Sequence, residues 1–156
     1  MLVLPQKQDV LTPELDALIC ALPKAELHIH LEGSIRPKTL LLLAKRNGID
    51  LGCTDEDCMR VMYSYQDFRH FIKLYGILTS VLRQPEDFML ITEELGLEAA
   101  KQGTSYLEVT FSAAIHHRNK GIPFDEMMEA IAAGAEMRAG PSSMSGRAKR
   151  RSPHPR

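Results

Sequence analysis

Hydrophobic positions along this chain follow two different periods, which predict two kinds of element. Strict alternation of apolar and polar residues over 25–31 and 106–111 predicts two strands. Elsewhere apolar residues recur every three or four positions, the spacing of an amphipathic helix. The helices predicted in this way cover residues 13–22, 37–47, 55–62, 66–82 and 85–102, and a further helical pattern begins at residue 124.

Residues with preferences for helix ends support these boundaries. Thr12, which precedes a proline, predicts the N-cap of the first helix. Asn47 and Gly48 predict the end of the second helix, and Thr54, with Asp57 three residues later, predicts the cap of the third. The order of strand, helices, strand and helix is that of a parallel, right-handed βα series, so the predicted fold class is α/β.

The first predicted strand carries two histidines one residue apart. Because side chains alternate along a strand, His28 and His30 fall on one face, and Leu27, Ile29 and Leu31 fall on the other. The two histidine α-carbons are then roughly 6.6 Å apart, so both imidazoles can reach one metal ion at about 2.0–2.1 Å. The pattern predicts half of a metal site. An edge strand with two solvated histidines is the alternative.

The segment around this pair, residues 22–34, resembles the amino-terminal signature of the adenosine deaminase family. It reads Leu-Pro-Lys-Ala-Glu-Leu-His-Ile-His-Leu-Glu-Gly-Ser, and the resemblance continues through 44–49, 67–68 and 103–112 towards residue 137. It implies a (β/α)₈ TIM barrel of the metallo-dependent hydrolase type. A complete barrel takes about 250 residues, so this chain, within residues 1–137, would hold about its first two βα units. We therefore expect exposed apolar surface, and aggregation or a molten state if the chain is expressed alone.

The resemblance also implies a reaction. Family members bind one Zn²⁺ ion through the two strand-one histidines, here His28 and His30, and through a later histidine and aspartate. The ion lowers the pKa of a bound water, which attacks C6 of a purine nucleoside or base so that ammonia leaves. This is the chemistry of a hydrolase acting on a cyclic amidine in purine nucleotide metabolism. The catalytic acid and base residues would lie beyond residue 137, so we assign none and expect this chain to be an incomplete, inactive fragment.

Five residues are candidate substrate contacts by the same resemblance. Glu32 occupies the position where adenosine-specific members carry an aspartate that reaches a sugar hydroxyl, and members with glutamate include deaminases of adenine and of larger nucleosides. Gly33 would let the backbone approach the ligand, or else simply form a turn. Phe68, Phe71 and Ile72 match the family's apolar lid, although an aromatic stripe at helical spacing is by default core.

Three other histidines are expected to be ordinary surface residues. His70 lies on a helix flank, and His116 and His117 lie in a polar loop. His30 and Glu32 together also satisfy the His-x-Glu pattern of cytidine-type zinc deaminases, but that class needs a Pro-Cys-x-x-Cys element, which the sequence lacks. Other amidohydrolases with a strand-one His-x-His remain an alternative.

Composition narrows the class of protein further. The 156 residues are 44% hydrophobic and 25% charged, as in an ordinary soluble globular domain. The sequence has no apolar run of the roughly 18–20 residues that cross a bilayer, so no membrane partner is expected. The three cysteines fit no disulfide framework, which favours a reducing compartment, and we expect a cytoplasmic location.

The last residues differ from the rest of the chain. Residues 138–156 contain six of the 19 Lys and Arg residues and none of the 20 acidic residues, so the remainder has 13 bases and a net charge of −7. This basic segment should be disordered, and we interpret it as the product of a frameshift. The alternative is a non-catalytic polypeptide that binds nucleic acid or protein through this tail or through exposed helices. On the deaminase interpretation no nucleic acid partner is expected, and the sequence does not define the oligomeric state.

Overall fold

The computed structural model of this chain describes residues 12–136, which contain two strands and seven α-helices. A short 3₁₀ turn, Leu31–Ser34, follows the first strand directly. The predicted tail, 138–156, lies outside the described residues. In chain order the elements are α1 (Pro13–Ala21), β1 (Lys24–His30), α2 (Pro37–Arg46), α3 (Glu56–Tyr63), α4 (Phe68–Ser80), α5 (Pro85–Lys101), β2 (Thr104–Thr110), α6 (Ala113–Lys120) and α7 (Phe124–Glu136).

The helix ends follow local capping chemistry, with one correction. The Thr12 side chain accepts a hydrogen bond from the Leu15 amide, as expected of the α1 N-cap. The prediction that Thr54 caps α3 is wrong, because Asp55 holds the N-cap position and its carboxylate accepts a hydrogen bond from the Cys58 amide at 2.8 Å. A polar loop was predicted around residues 116–117, but the chain there forms α6, which ends at Gly121 in the left-handed region.

The two strands pair in parallel, as predicted, but the predicted strict alternation along β1 is wrong. Glu26 pairs with Leu107 and Ile29 with Val109, so β1 contains one extra residue between these pairs. His28 lies within this bulge and has a φ of +61°. A left-handed backbone is uncommon for a residue with a side chain, although His is among the residue types that tolerate it. Hydrophobic alternation does not reveal such a bulge, because the polarity pattern is unchanged by it.

The core lies among the helices and the turn after β1. It is formed by apolar side chains, among which Phe88 is the largest that is fully buried. Helices α5 and α7 approach so closely that a Cβ at Gly134 would lie 2.5 Å from the Met89 carbonyl oxygen. The buried cluster consists of Leu31, Ile35, Leu40, Leu43, Ala44, Met59, Leu74, Leu78, Val81, Leu82, Phe88, Ile91, Ile122 and Met127.

The sheet, in contrast, has no buried residue in either strand. Leu27 is 62% exposed and Tyr106 is 58% exposed, so the expected exposure of apolar strand surface is confirmed. The α/β order and the parallel pairing are likewise as expected. Two strands do not form a closed barrel, and the (β/α)₈ architecture stays a prediction.

Two further observations bear on the sequence analysis. Cys53 and Cys58 form a disulfide, with α-carbons 5.8 Å apart, because the turn that enters α3 brings the preceding loop back over the first helical turn. This corrects the expectation that the cysteines form no disulfide, and it removes the argument for a reducing compartment. Among residues 12–136, no helix combines the length and apolar character required to span a membrane.

Candidate metal and substrate site

The two histidines of β1 lie side by side at the carboxyl end of the strand. Their ring centroids are 5.3 Å apart and their planes meet at 65°. Both residues are exposed to solvent. The bulge therefore changes the backbone path of β1 without separating the two imidazoles.

This arrangement fits two ligands of one zinc ion. Two imidazoles bound to a tetrahedral zinc at about 2.0–2.1 Å would hold their ring centroids roughly 5.2 Å apart, close to the spacing in this chain. Imidazole nitrogen is also a preferred donor for zinc. Within residues 12–136, no third His, Cys, Asp or Glu side chain joins the pair in a metal-binding cluster. His28 and His30 are thus candidate metal ligands.

A small cavity opens beside His30. Its volume is about 230 Å³. It lies where the carboxyl ends of β1 and β2 meet α4, which is where parallel α/β folds bind their ligands. A larger cavity, of about 980 Å³, lies between α2 and the loop after it and contains none of the predicted site residues. The lining residues of the small cavity are His30, Gly33, Phe71, Ile72, Tyr75 and Ser112.

Three of the predicted substrate contacts therefore line the cavity, and two do not. Gly33, Phe71 and Ile72 are on the wall. Phe68 is 74% exposed and stacks on Phe71 with a centroid separation of 6.2 Å, outside the cavity. Glu32 lies beneath the wall and is fully buried.

The Glu32 carboxylate is hydrogen-bonded on both oxygens. Its Oε1 accepts from the Ser112 amide at 2.7 Å and lies 3.1 Å from His116 Nε2. Its Oε2 accepts from the Tyr75 hydroxyl at 3.0 Å. Burial by itself would raise the pKa of Glu32, but the hydrogen bonds from His116, Ser112 and Tyr75 together lower this pKa below its ordinary value. The carboxylate is therefore ionised at neutral pH.

A second layer of polar groups supports this carboxylate. His116 is fully buried, and Lys120 Nζ lies 3.2 Å from its Nδ1. Lys120 also donates to the carbonyls of Thr79 and Leu82, which lie at and just after the end of α4. If Lys120 donates to Nδ1 of a neutral His116, Nε2 carries the proton that points at Glu32. The result is a hydrogen-bonded chain from Lys120 to Glu32.

The prediction that His116 is a surface residue is therefore wrong. Helix α6 turns this side chain inward, whereas the neighbouring His117 is exposed, as is His70 on α4. Tyr75 and Ser112 were not predicted as site residues either. Tyr75 is one helical turn after Phe71, a spacing typical of an apolar helix face, and Ser112 directly follows the carboxyl end of a parallel strand. Its place at the carboxyl end of a strand was the sequence feature from which Ser112 could have been predicted as a site residue.

Two close imidazoles beside a cavity at the carboxyl ends of parallel strands define a candidate metal-dependent enzyme of the α/β class. The family model for adenosine deaminase matches residues 23–146, well over half of the sequence. This chain belongs to the adenosine deaminase family, as its sequence predicted.

Three similar proteins illustrate the relationship. An adenine deaminase of Bordetella avium is 41% identical over 115 residues, which cover 74% of this chain and 36% of that protein. An aminodeoxyfutalosine deaminase of Acidothermus cellulolyticus is 34% identical over 126 residues, covering 81% of this chain and 35% of that protein. A solved amidohydrolase from Burkholderia ambifaria, with bound Zn, has a TM-score of 0.71 and 25% identity, covering 86% and 36%. This chain spans about a third of the length of the curated relatives it matches.

Proposed function

We propose that this chain supplies the amino-terminal part of a zinc-dependent purine deaminase. The reaction would hydrolyse the amino group at C6 of an adenine base or an adenosine-like nucleoside, with water consumed and ammonia released. The observation that carries the proposal is the pair of imidazoles 5.3 Å apart, one of which also lines the cavity. The names of two relatives, which refer to deamination of adenine and of aminodeoxyfutalosine, support the substrate class.

Each group in the site has a distinct task under this proposal. Zinc, when bound, would bring the pKa of a water molecule towards neutrality and so supply the nucleophile. His28 and His30 would hold the ion from the strand side. Phe71 and Ile72 would present an apolar wall to a planar purine ring and exclude bulk water from it. We propose no catalytic acid or base among the described residues.

A chimaera tests this assignment directly. Residues 23–136 would replace the corresponding segment of the adenine deaminase of Bordetella avium, which shares 41% identity with this chain. We expect one zinc per chain by metal analysis, and a change in ultraviolet absorbance as adenine or an adenosine-like nucleoside is deaminated. His30→Ala should lose both the zinc and the turnover.

The matched control is His70→Ala, which removes an exposed histidine on α4 and should leave zinc content and turnover unchanged. A folded chimaera that retains its zinc after His30→Ala would contradict the metal assignment. A folded, zinc-loaded chimaera that leaves adenine, adenosine and larger adenosine-like nucleosides unchanged would contradict the substrate class.

For the 156-residue chain by itself we propose that turnover is absent. The family resemblance implies four protein ligands for the zinc, and within residues 12–136 only His28 and His30 are proposed for this role. Purified chain should contain less than one zinc per molecule and should leave adenine and adenosine absorbance constant. Stoichiometric zinc together with turnover would overturn this part of the proposal.

A further inference from the structure

Glu32 is the one predicted substrate contact that lies beneath the cavity wall with its carboxylate fully enclosed. Its side chain is 0% exposed, and it does not line the cavity beside His30. Two of its three hydrogen-bond partners, Tyr75 and Ser112, do line that cavity. The carboxylate therefore connects two parts of the wall from behind.

We propose that Glu32 is a positioning residue, whose buried carboxylate fixes Tyr75 and Ser112 as walls of the cavity without touching the ligand. The identity of the ligand, a purine, rests on the proposed function. The hydrogen-bonded connection that the Glu32 carboxylate makes does not depend on that function.

The three connected elements are distant in sequence. Tyr75 belongs to α4 and is 43 residues from Glu32, and Ser112 follows β2, 80 residues away. The backbone pairing of β1 with β2 reaches His30 and Thr110, and beyond that pair the Glu32 carboxylate accepts the hydrogen bond from the Ser112 amide. A buried side chain that accepts hydrogen bonds from two separate elements restrains both, because breaking either bond leaves a buried polar group without its partner.

The connection extends to a metal ligand through Tyr75. The Tyr75 ring meets the His30 ring edge to face, with centroids 6.1 Å apart and planes at 88°. Because the Tyr75 hydroxyl is held by Glu32, the phenol ring has a fixed orientation against the imidazole. Glu32 thus acts on His30 through Tyr75, and on another part of the cavity wall through Ser112.

Side-chain length is the property that the geometry requires. The Glu32 carboxylate reaches the Ser112 amide, the Tyr75 hydroxyl and His116 at 2.7, 3.0 and 3.1 Å. An aspartate would withdraw the carboxylate by about one C–C bond, beyond good hydrogen-bond distance to at least one partner. Glutamine would keep the length and one acceptor oxygen, and the amide nitrogen would occupy the other site.

The first experiment uses the chimaera that carries residues 23–136, prepared without zinc so that adenine is not turned over. It measures the connection by amide hydrogen exchange and by NMR of the His30 ring protons. For Glu32→Asp we expect the Ser112 amide to exchange on the order of tenfold faster or more, as for loss of a charge-assisted hydrogen bond. The His30 ring protons should lose the shift caused by the Tyr75 ring. Glu32→Gln should retain most of both signals.

Two control variants separate this role from a general loss of stability. Glu98→Asp shortens an exposed carboxylate that pairs with Arg36, and should change neither signal. Thr39→Val removes a hydrogen bond to Glu94 in another part of the fold, so it lowers stability without touching the connection. If Glu32→Asp leaves both signals as in the unsubstituted chimaera, or if Thr39→Val changes them equally, the proposal is overturned.

The second experiment adds adenine as the probe and follows the Tyr75 and His30 ring resonances. We expect Glu32→Gln to keep the dissociation constant for adenine within about twofold, and Tyr75→Phe and Glu32→Asp to weaken binding by more than this. A large loss in Glu32→Gln, with the Ser112 amide still protected, would make Glu32 a direct ligand contact and refute the proposal. Failure of the unsubstituted chimaera to bind adenine would count against the proposed function, while the exchange experiment alone would then decide the positioning role.

Discussion

The helices and the sheet of this chain differ sharply in how they use their apolar residues. The helices and the turn after β1 enclose a core in which Phe88, Leu40 and Met127 are fully buried. The sheet has apolar side chains of similar size, yet none of its residues is buried. Parallel sheets are ordinarily covered on both faces. The helical core is packed closely enough to position side chains, whereas the sheet presents apolar surface that nothing within residues 12–136 buries.

The candidate site lies where these two regions meet. His28 and His30 come from the exposed strand, and Tyr75 and Glu32 come from the packed side. Of the two candidate metal ligands, His30 packs against Tyr75 of the helical side, so its orientation depends on that side. Substitutions that disturb the core should therefore also change the candidate site, while substitutions on the sheet surface should alter association between chains.

The largest expected effect is on the packing of the helical core. Gly134→Ala places a methyl group 2.5 Å from the Met89 carbonyl, which forces α5 and α7 apart and should cost about 1–3 kcal/mol. The matched variant is Gly76→Ala on α4, where nothing lies within 4 Å of the added carbon, and it should stabilise the chain by up to about 1 kcal/mol. Urea unfolding followed by circular dichroism measures both. Equal effects of the two variants would mean that α5 and α7 are not closely packed.

A smaller effect concerns a tyrosine that packs against the core. Tyr63 donates a hydrogen bond to the Ile35 carbonyl at 2.7 Å, and burial raises the pKa of its phenol well above the ordinary value. The folded state then keeps a proton that the unfolded state loses above about pH 10, so stability is complete below that pH and falls as pH rises above it. Tyr63→Phe should cost about 1 kcal/mol at neutral pH and make the alkaline decline shallower. An unchanged alkaline slope in unfolding measurements from pH 8 to 11 would contradict the assignment.

The smallest effect on stability is expected on the sheet, where association should change instead. Leu27 is 62% exposed on β1, and Leu27→Lys should change the free energy of unfolding by about 0.5 kcal/mol or less while reducing aggregation. Leu42, which is 50% exposed on α2, provides the control, because Leu42→Lys adds the same charge away from the sheet. Light scattering at increasing protein concentration compares the aggregation of the two variants. Equal reduction by both substitutions would show that charge, and not the sheet surface, governs association.

Local signals predicted much of the fold. The Thr12 cap, the start of α5 at Pro85 and the end of α2 at Asn47–Gly48 were each readable, because capping and proline chemistry act within a few residues. The α3 cap was predicted one residue early, since two adjacent polar residues, Thr54 and Asp55, were both suitable. The bulge at His28 was not predictable, because register depends on the partner strand.

The site was predictable only in its local part. His28 and His30 are two residues apart, so a strand brings them together wherever it lies, and Phe71 and Ile72 follow helical spacing into the cavity. His116 was misassigned, because its inward direction depends on how α6 packs against Glu32 and Lys120. Phe68 shares the aromatic pattern of Phe71, yet the position of the helix start leaves it outside the cavity.

The sequence by itself thus determined the family, the starts of α1 and α5 and the pair of imidazoles, which are features encoded within a few consecutive residues or in a recognisable motif. Only the tertiary structure decided that Glu32 faces Tyr75, Ser112 and His116, at separations of 43, 80 and 84 residues. Contacts of that range are set by how helices and strands pack, and no periodicity in the chain records them.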